Sequence, residues 1–145
     1  MIEVGIARRE EWAAIRELII DGLAQRWGSY DASKNADLEA FESAYEEQCF
    51  VAARSGGRVI GCGALVKEST EAARIVRMSV ANTWQRRGIG RSIVRALINM
   101  AREYQFKEVR VETTTGWRSA VGLYVAEGFV INHTDNDDTH FTFRL

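Results

Sequence analysis

Proline is absent from this chain altogether. That removes the usual rigid marker of domain boundaries, and no repeat, low-complexity tract or linker-like stretch takes its place. Cysteine is scarce. Cys49 and Cys62 stand apart, outside any C-x-x-C pair, and are too few for a disulfide framework. Each lies in an apolar, strand-like run and reads as a small buried hydrophobe. An excess of either charge is also missing: a net charge of −1 supplies no global field to draw the protein to nucleic acid or to an anionic membrane. No apolar run approaches the roughly 18 residues that a membrane span needs. The opening Met1-Ile2-Glu3-Val4-Gly5-Ile6 lacks the basic-then-apolar order of a signal peptide. These absences predict a cytoplasmic protein that binds neither nucleic acid nor membrane.

What is present is the balance of an ordinary globular domain. Apolar residues make up 46% and charged residues 27% of 145 residues, enough for one domain, residues 1–145, around a single core. Alternation predicts a strand from Ile2 to Ala7, and helical spacing of Trp12, Ile15, Ile19 and Leu23 predicts a helix from Arg9 to about Arg26. Residues 28–33 carry loop chemistry. An acidic helix is expected from Asp37 to about Glu47, with Leu38, Phe41 and Tyr45 on one face. Cys49–Ala53 and Arg58–Val66 flank Ser55-Gly56-Gly57 as a hairpin. A strand at Ala73–Val80, a long helix over residues 88–104 and a strand at Val109–Thr113 form a βαβ unit with one parallel pair. A short helix from Trp117 to Glu127, stopped by Gly128, leads to a C-terminal hairpin, Phe129–His133 with Phe141–Leu145. The order predicts an α+β domain with a mixed, mostly antiparallel sheet of six or seven strands and about four helices.

The most informative stretch is Gln85-Arg86-Arg87-Gly88-Ile89-Gly90-Arg91-Ser92. It follows a strand and opens the longest helix. Glycines let the backbone approach a ligand, and the first turn of a helix offers unpaired N–H groups with partial positive charge. Such a turn is suited to a diphosphate, with Arg86, Arg87 and Arg91 adding charge. Arg86, Arg87, Arg91 and Arg95 could also form a nucleic-acid patch, but the net charge of −1 favours the phosphates of a small ligand.

This Q-R-R-G-I-G turn resembles the R/Q-x-x-G-x-G/A acetyl-CoA signature of the GNAT N-acetyltransferase superfamily. Downstream, Ala120-Val121-Gly122-Leu123-Tyr124-Val125-Ala126-Glu127-Gly128-Phe129 is similar to that family's A-x-x-L-Y-x-x-x-G-F motif. The resemblance is specific over residues 73–131. The N-terminal half matches in element order alone. Many members carry an asparagine three residues before the motif alanine, where this chain has Trp117. The hydrogen bond such an asparagine would make is therefore in question, and Trp117 is assigned to the cofactor or to the acceptor pocket.

The resemblance implies an acetyl-CoA-dependent N-acetyltransferase that works without a metal by direct attack of an amine on the thioester. It places the diphosphate on Gln85 to Ser92, and the pantetheine along the preceding strand near Met78, Ser79 and Val80, with Ala120 close by. An N–H of that strand would stabilise charge on the thioester oxygen. Tyr124 is the expected general acid for the departing thiolate, because a phenol with a pKa of about 10 keeps its proton at neutral pH. The alternative for Tyr124 is a plain core tyrosine. A base is needed to deprotonate the amine. Glu112 is the first candidate, against a salt-bridged strand residue; Glu68, Asp31 and bulk water follow.

The acceptor, a small-molecule or peptide amine, is expected near Trp27, Tyr30 and Asp31. Asp31, Asp37, Glu39, Glu42, Glu46 and Glu47 stand against Lys34 alone in this region. That is either a rim for a cationic amine or a solvated helix face. The run His133 to His140 reads as a hairpin turn rather than a metal site, since it lacks the EF-hand glycine and glutamate. Family analogy allows a homodimer through the C-terminal strands. A non-catalytic acyl-CoA-binding module remains as the alternative; a generic nucleotide fold is disfavoured by the lack of G-x-G-x-x-G and of a P-loop lysine.

Overall fold

The computed structural model describes residues 1–145. Seven strands form one sheet in the order β1-β2-β3-β4-β5-β7-β6. They are β1 (Ile2–Ile6), β2 (Cys49–Ser55), β3 (Arg58–Lys67), β4 (Ala72–Val80), β5 (Glu108–Thr114), β6 (Val130–Asp135) and β7 (Asp138–Arg144). Five helices accompany them: α1 (Trp12–Trp27), α2 (Ala36–Glu39), α3 (Phe41–Ala44), α4 (Ile89–Glu103) and α5 (Arg118–Ala126). Only β4 and β5 pair in parallel, joined by the α4 crossover; every other pair is antiparallel.

The sheet separates two apolar layers. On one side α4 buries Ile89, Ile93, Val94, Leu97, Ile98 and Ala101 against Val51, Ala53, Ile60, Ile75, Val109 and Val111. Each such large aliphatic side chain contributes about 1.5–3 kcal/mol on burial. On the other side α1 sets Trp12, Ile15 and Ile19 against Phe50, Ala52, Cys62 and Ala64, with Leu38, Phe41 and Tyr45 closing the layer. The alternation of β3 explains the split. Gly61 and Gly63 face α4, while Cys62 and Ala64 face α1. The missing side chains at 61 and 63 let the start of α4 lie close to the strand. Burial pushes the Cys62 thiol up to about 12, so it behaves as a hydrophobe.

A buried ion pair fixes the first connection. Arg54 in β2 donates to both carboxylate oxygens of Glu11, at 2.5 and 2.7 Å, and to the Ile6 carbonyl at 3.0 Å. The hydrogen bond from Arg54 holds the Glu11 carboxyl down at about 2, against the cost of burial.

Two expectations need correction. The single acidic helix over residues 37–47 is instead two one-turn pieces, α2 and α3, broken at Ala40 (φ −119°, ψ 48°). Leu38, Phe41 and Tyr45 are nonetheless all buried on the α1 side, as one shared face requires. The C-terminal hairpin is longer than its apolar residues suggest. β6 runs on to Asp135 and β7 begins at Asp138, around a tight Asn136-Asp137 turn with Asn136 left-handed at φ 43°. The polar residues of the run belong to paired strands because β6 is an exposed edge.

Candidate active site

β4 and β5 pair only over Ala72–Arg74 with Glu108–Arg110. Beyond Arg74 they part, and from Ile75 to Val80 the edge of β4 that faces β5 has no strand partner. A bulge accompanies the parting. The β3–β4 register shifts so that Cys62 pairs with Ser79 but Ala64 with Val76, setting Arg77 and Met78 opposite Gly63. Arg77 is left-handed at φ 56°, uncommon for a residue with a side chain. The extra residue resets the alternation. Ile75 and Met78 both pack towards α4, whereas Val76 lies against the α1 layer and the Ser79 hydroxyl donates to the Leu18 carbonyl of α1 at 3.2 Å. Gly63 is required by the same bulge: a Cβ there would lie 2.4 Å from Met78 Sδ and 3.1 Å from both Ile93 and Leu97. The parted strands leave a cleft of about 870 Å³, walled by β4, β5, α1, α5 and the start of α4.

One end of the cleft is the turn into α4. Arg86 and Gly88 are both left-handed, at φ 64° and 80°, so the chain winds tightly just before the helix. The first helical bond runs from the Ser92 N–H to the Gly88 carbonyl. The N–H groups of Ile89, Gly90 and Arg91 therefore have no partner within the helix. A hydrogen bond of 3.1 Å from Gln85 Nε2 to the Val80 carbonyl ties the turn to the end of β4. Gln85, Arg86, Gly88, Ile89 and Gly90 line the cleft. Arg87, Arg91 and Ser92 belong to the same turn but face elsewhere: Arg87 stacks over Trp84 at 4.9 Å, and Arg91 lies 3.2 Å from Glu127. A Cβ at Gly90 would make only an ordinary contact with Leu123 of α5, at 3.4 Å.

The far wall comes from α5. Tyr124 is buried, its ring packed against Phe129 and Phe141 at centroid distances of 5.5 and 5.6 Å, yet it borders the cleft. Burial raises its pKa well above the ordinary phenol value, and the nearby Arg26 offsets little of this. Ala120 and Trp117 line the same wall. Trp117 packs on Trp27 at 5.2 Å, with the Arg26 guanidinium 4.2 Å above its ring.

Met78, Ser79, Val80 and Glu112 also line the cleft. The Glu112 carboxylate is shared: Oε1 lies 3.2 Å from Arg74 Nη1, and Oε2 lies 3.2 Å from His140 Nδ1. It is thus both a cleft residue and an ion-paired strand residue. Glu68 sits on the Arg74 side, 2.7 Å from its guanidinium, and outside the cleft lining.

Of the three expected acceptor residues, none is part of the cleft lining. Trp27 reaches the rim through Trp117. The Tyr30 hydroxyl donates to Glu39 at 2.6 Å, and the Asp31 carboxylate accepts from Ser33 N and Oγ. The residues on that side are Leu23 and Arg26 from α1, Arg77, and the Asp37–Tyr45 pair. Arg77 Nη2 and Nε lie 2.6 and 2.9 Å from Asp37, whose carboxylate also accepts from the Tyr45 hydroxyl. Burial works against the Asp37 carboxylate, but these hydrogen bonds outweigh it and hold its pKa low. Burial and the same carboxylate push Tyr45 up to about 12. No sequence spacing announces this trio, because Arg77 and Asp37 meet only through the bulge.

A cleft opened by a bulged strand, closed at one end by a free helix N-terminus and walled by a buried tyrosine, can hold an elongated ligand with an anionic head. Comparison with known proteins gives a concordant result. The sequence matches the Acetyltransferase (GNAT) family over residues 12–129. It is 33% identical over 86 residues to mouse N-acetyltransferase 8B, covering 56% of this chain and 37% of that protein. The chain spans about half or less of the length of the curated relatives it matches. An acetyltransferase of the GNAT family from Staphylococcus aureus Mu50 superposes with a TM-score of 0.84 at 17% identity, covering 99% of both chains. A GNAT acetyltransferase from Elizabethkingia anophelis, solved with acetyl-CoA bound, superposes with a TM-score of 0.78 at 20% identity, covering 99% of this chain and 98% of that one. The fold and the match over residues 12–129 agree: this chain belongs to the GNAT acetyltransferase family.

Proposed function

We propose that this protein transfers the acetyl group of acetyl-CoA to an amine by direct attack on the thioester. The observation that carries the reading is the parting of β4 from β5, with the N-terminus of α4 at one end of the gap and Tyr124 on its wall. The gap fits an extended thioester cofactor of this kind. The N–H groups of Ile89, Gly90 and Arg91 suit a diphosphate, and the unpaired edge from Ile75 to Val80 suits the amides of a pantetheine arm. The cofactor supplies an activated acyl group and a thiolate leaving group.

The chain's residues supply the rest. Main-chain N–H groups near Met78 to Val80 are fixed donors that need no reorganisation to stabilise negative charge on the carbonyl oxygen. Tyr124, held protonated by burial, donates to the leaving sulfur. Glu112 takes the proton of the attacking amine directly or through water, with Arg74 and His140 orienting it. The acceptor enters from the α1 side, past Arg26, Leu23 and the Arg77–Asp37 pair. An amine, small or peptide-borne, is the acceptor class. The cytoplasm is the setting we assign, in keeping with a composition whose two cysteines are too few for a disulfide framework. A second copy pairing along the exposed edge of β6, where Val130 and Ile131 face outward, belongs to the same reading and is read by sedimentation.

The deciding experiment is calorimetric titration with acetyl-CoA, followed by thiol release over a panel of amines, amino acids and peptides. Saturable binding with thiol release on at least one amine supports the proposal. Binding without release on any acceptor would favour a non-catalytic acyl-CoA sensor, and absence of binding would overturn both.

A further inference from the structure

A second cluster lies outside the cleft, on the β6–β7 hairpin. His133 and His140 are direct cross-strand partners, their rings stacked 4.3 Å apart and 11° from parallel. Asp135, two residues after His133 on β6, shares its face of the strand, and the tight turn at Asn136-Asp137 returns β7 so that His140 comes alongside both. Its Oδ2 is 3.0 Å from His140 Nε2 and 3.7 Å from His133 Nε2. Donor atoms of all three residues lie within 4.8 Å of one another.

We propose that His133, Asp135 and His140 form a site for a divalent transition-metal ion. Four observations support it. Tetrahedral zinc with bonds of about 2.0–2.1 Å places its donor atoms roughly 3.3 Å apart, and the two carboxylate–imidazole distances bracket that value; the exposed His133 ring would turn out of its stack on His140 to aim its in-plane lone pair at the same ion. His140 Nε2 is buried and has no hydrogen-bond partner, although a carboxylate oxygen stands 3.0 Å away. The approach has the distance of a contact without the alignment of a hydrogen bond, and a cation between the two atoms would satisfy both. The other nitrogen of His140, Nδ1, lies 3.2 Å from Glu112 Oε2. A carboxylate on the far nitrogen of a ligating histidine is the usual orienting partner in metal sites. Finally, His133 and Asp135 are exposed, so a hydrated ion reaches them from solvent without crossing the neighbouring cavity of about 360 Å³, which Arg74, Arg110 and Arg144 line.

Two imidazoles and one carboxylate favour zinc, nickel or copper over magnesium or calcium, which prefer oxygen ligands. Three protein donors leave further positions to water. The ion would clasp the edge strand β6 to β7. Through His140 it would also fix Glu112 and, behind that, Arg74, in a polar row that crosses four neighbouring strands from β6 to β4.

The test uses the untagged full chain, dialysed against a chelator and titrated with zinc chloride by calorimetry, with magnesium chloride as control. The expected result is one zinc bound per chain, no response to magnesium, and an unfolding midpoint that rises with added zinc. His133→Ala and Asp135→Asn alter exposed residues and keep the fold, which circular dichroism checks; each should lower zinc affinity at least about tenfold and abolish the midpoint shift. Glu112→Gln should weaken zinc by about tenfold through His140. Zinc binding that is unchanged in His133→Ala, or that is lost in Cys49→Ser instead, overturns the proposal. So does its absence in the wild type. None of these readouts depends on acetyl-CoA or on turnover.

Discussion

The guanidinium of Arg77 grips the carboxylate of Asp37, with Nη2 2.6 Å from Oδ1 and Nε 2.9 Å from Oδ2. The pair ties the bulge of β4 to the short helix α2, and Asn35 adds a contact from its Oδ1 to Nη2 at 3.1 Å. A left-handed arginine is strained, and this anchoring offsets the strain. Asp37→Ala leaves a half-buried guanidinium without its partner. It should lower stability by about 1–3 kcal/mol. It should also raise KM for the acceptor more than it weakens acetyl-CoA binding, because the pair lines the α1 side of the cleft. Urea melts and two-substrate kinetics check both parts.

Gly63→Ala tests whether the bulge shapes the cleft. The new methyl would overlap Met78 Sδ and crowd Ile93 and Leu97 from within 3.1 Å. Met78 would be forced towards the gap between β4 and β5. A loss of about 1–3 kcal/mol in stability is expected, together with weaker acetyl-CoA binding by calorimetry. Unchanged binding would mean that the bulge does not set the cofactor wall.

Tyr124→Phe keeps the ring between Phe129 and Phe141, so the thermal midpoint should move little. If the phenol protonates the leaving sulfur, kcat falls by about a hundredfold or more while acetyl-CoA affinity is retained. Because burial raises the Tyr124 pKa, the wild-type rate should not decline through mildly alkaline pH from loss of this proton. Thiol-release assays across pH check both.

Glu11 governs acid stability. Its carboxyl is held at about 2 when folded, against an ordinary 4.5. A lowered folded pKa stabilises the protein above the unfolded value. That contribution should be lost as the pH falls from about 4.5 towards about 2. Glu11→Gln strips the partner from buried Arg54 and should cost about 3–5 kcal/mol at neutral pH. It should also flatten the decline between those two pH values, as read by urea unfolding at a series of pH values.

Much of this protein was legible in the order of its residues. Hydrophobic periodicity over Ile89–Ala101 defines the buried face of α4, and the alternation in β5 places Val109 and Val111 against it, because both patterns are local and repeat with fixed period. The turn from Gln85 to Gly90 and Tyr124 were likewise visible as motifs, and all of Gln85, Gly88, Gly90 and Tyr124 line one cleft. The acidic stretch after Asp31 misleads as a single helix, since its apolar residues keep helical spacing across Ala40, where the backbone leaves the helix. The partners of Arg77 were hidden for a different reason. A bulge shifts the phase of a strand, and Asp37 lies 40 residues away in sequence. The meeting of His133, Asp135 and His140 was hidden because it depends on strand register and on a two-residue turn. Local pattern thus determined the elements and the cofactor-like turn. Only the folded sheet decided where the strands part, which side chains face the gap and which polar groups meet across strands, because long-range register and packing set those distances.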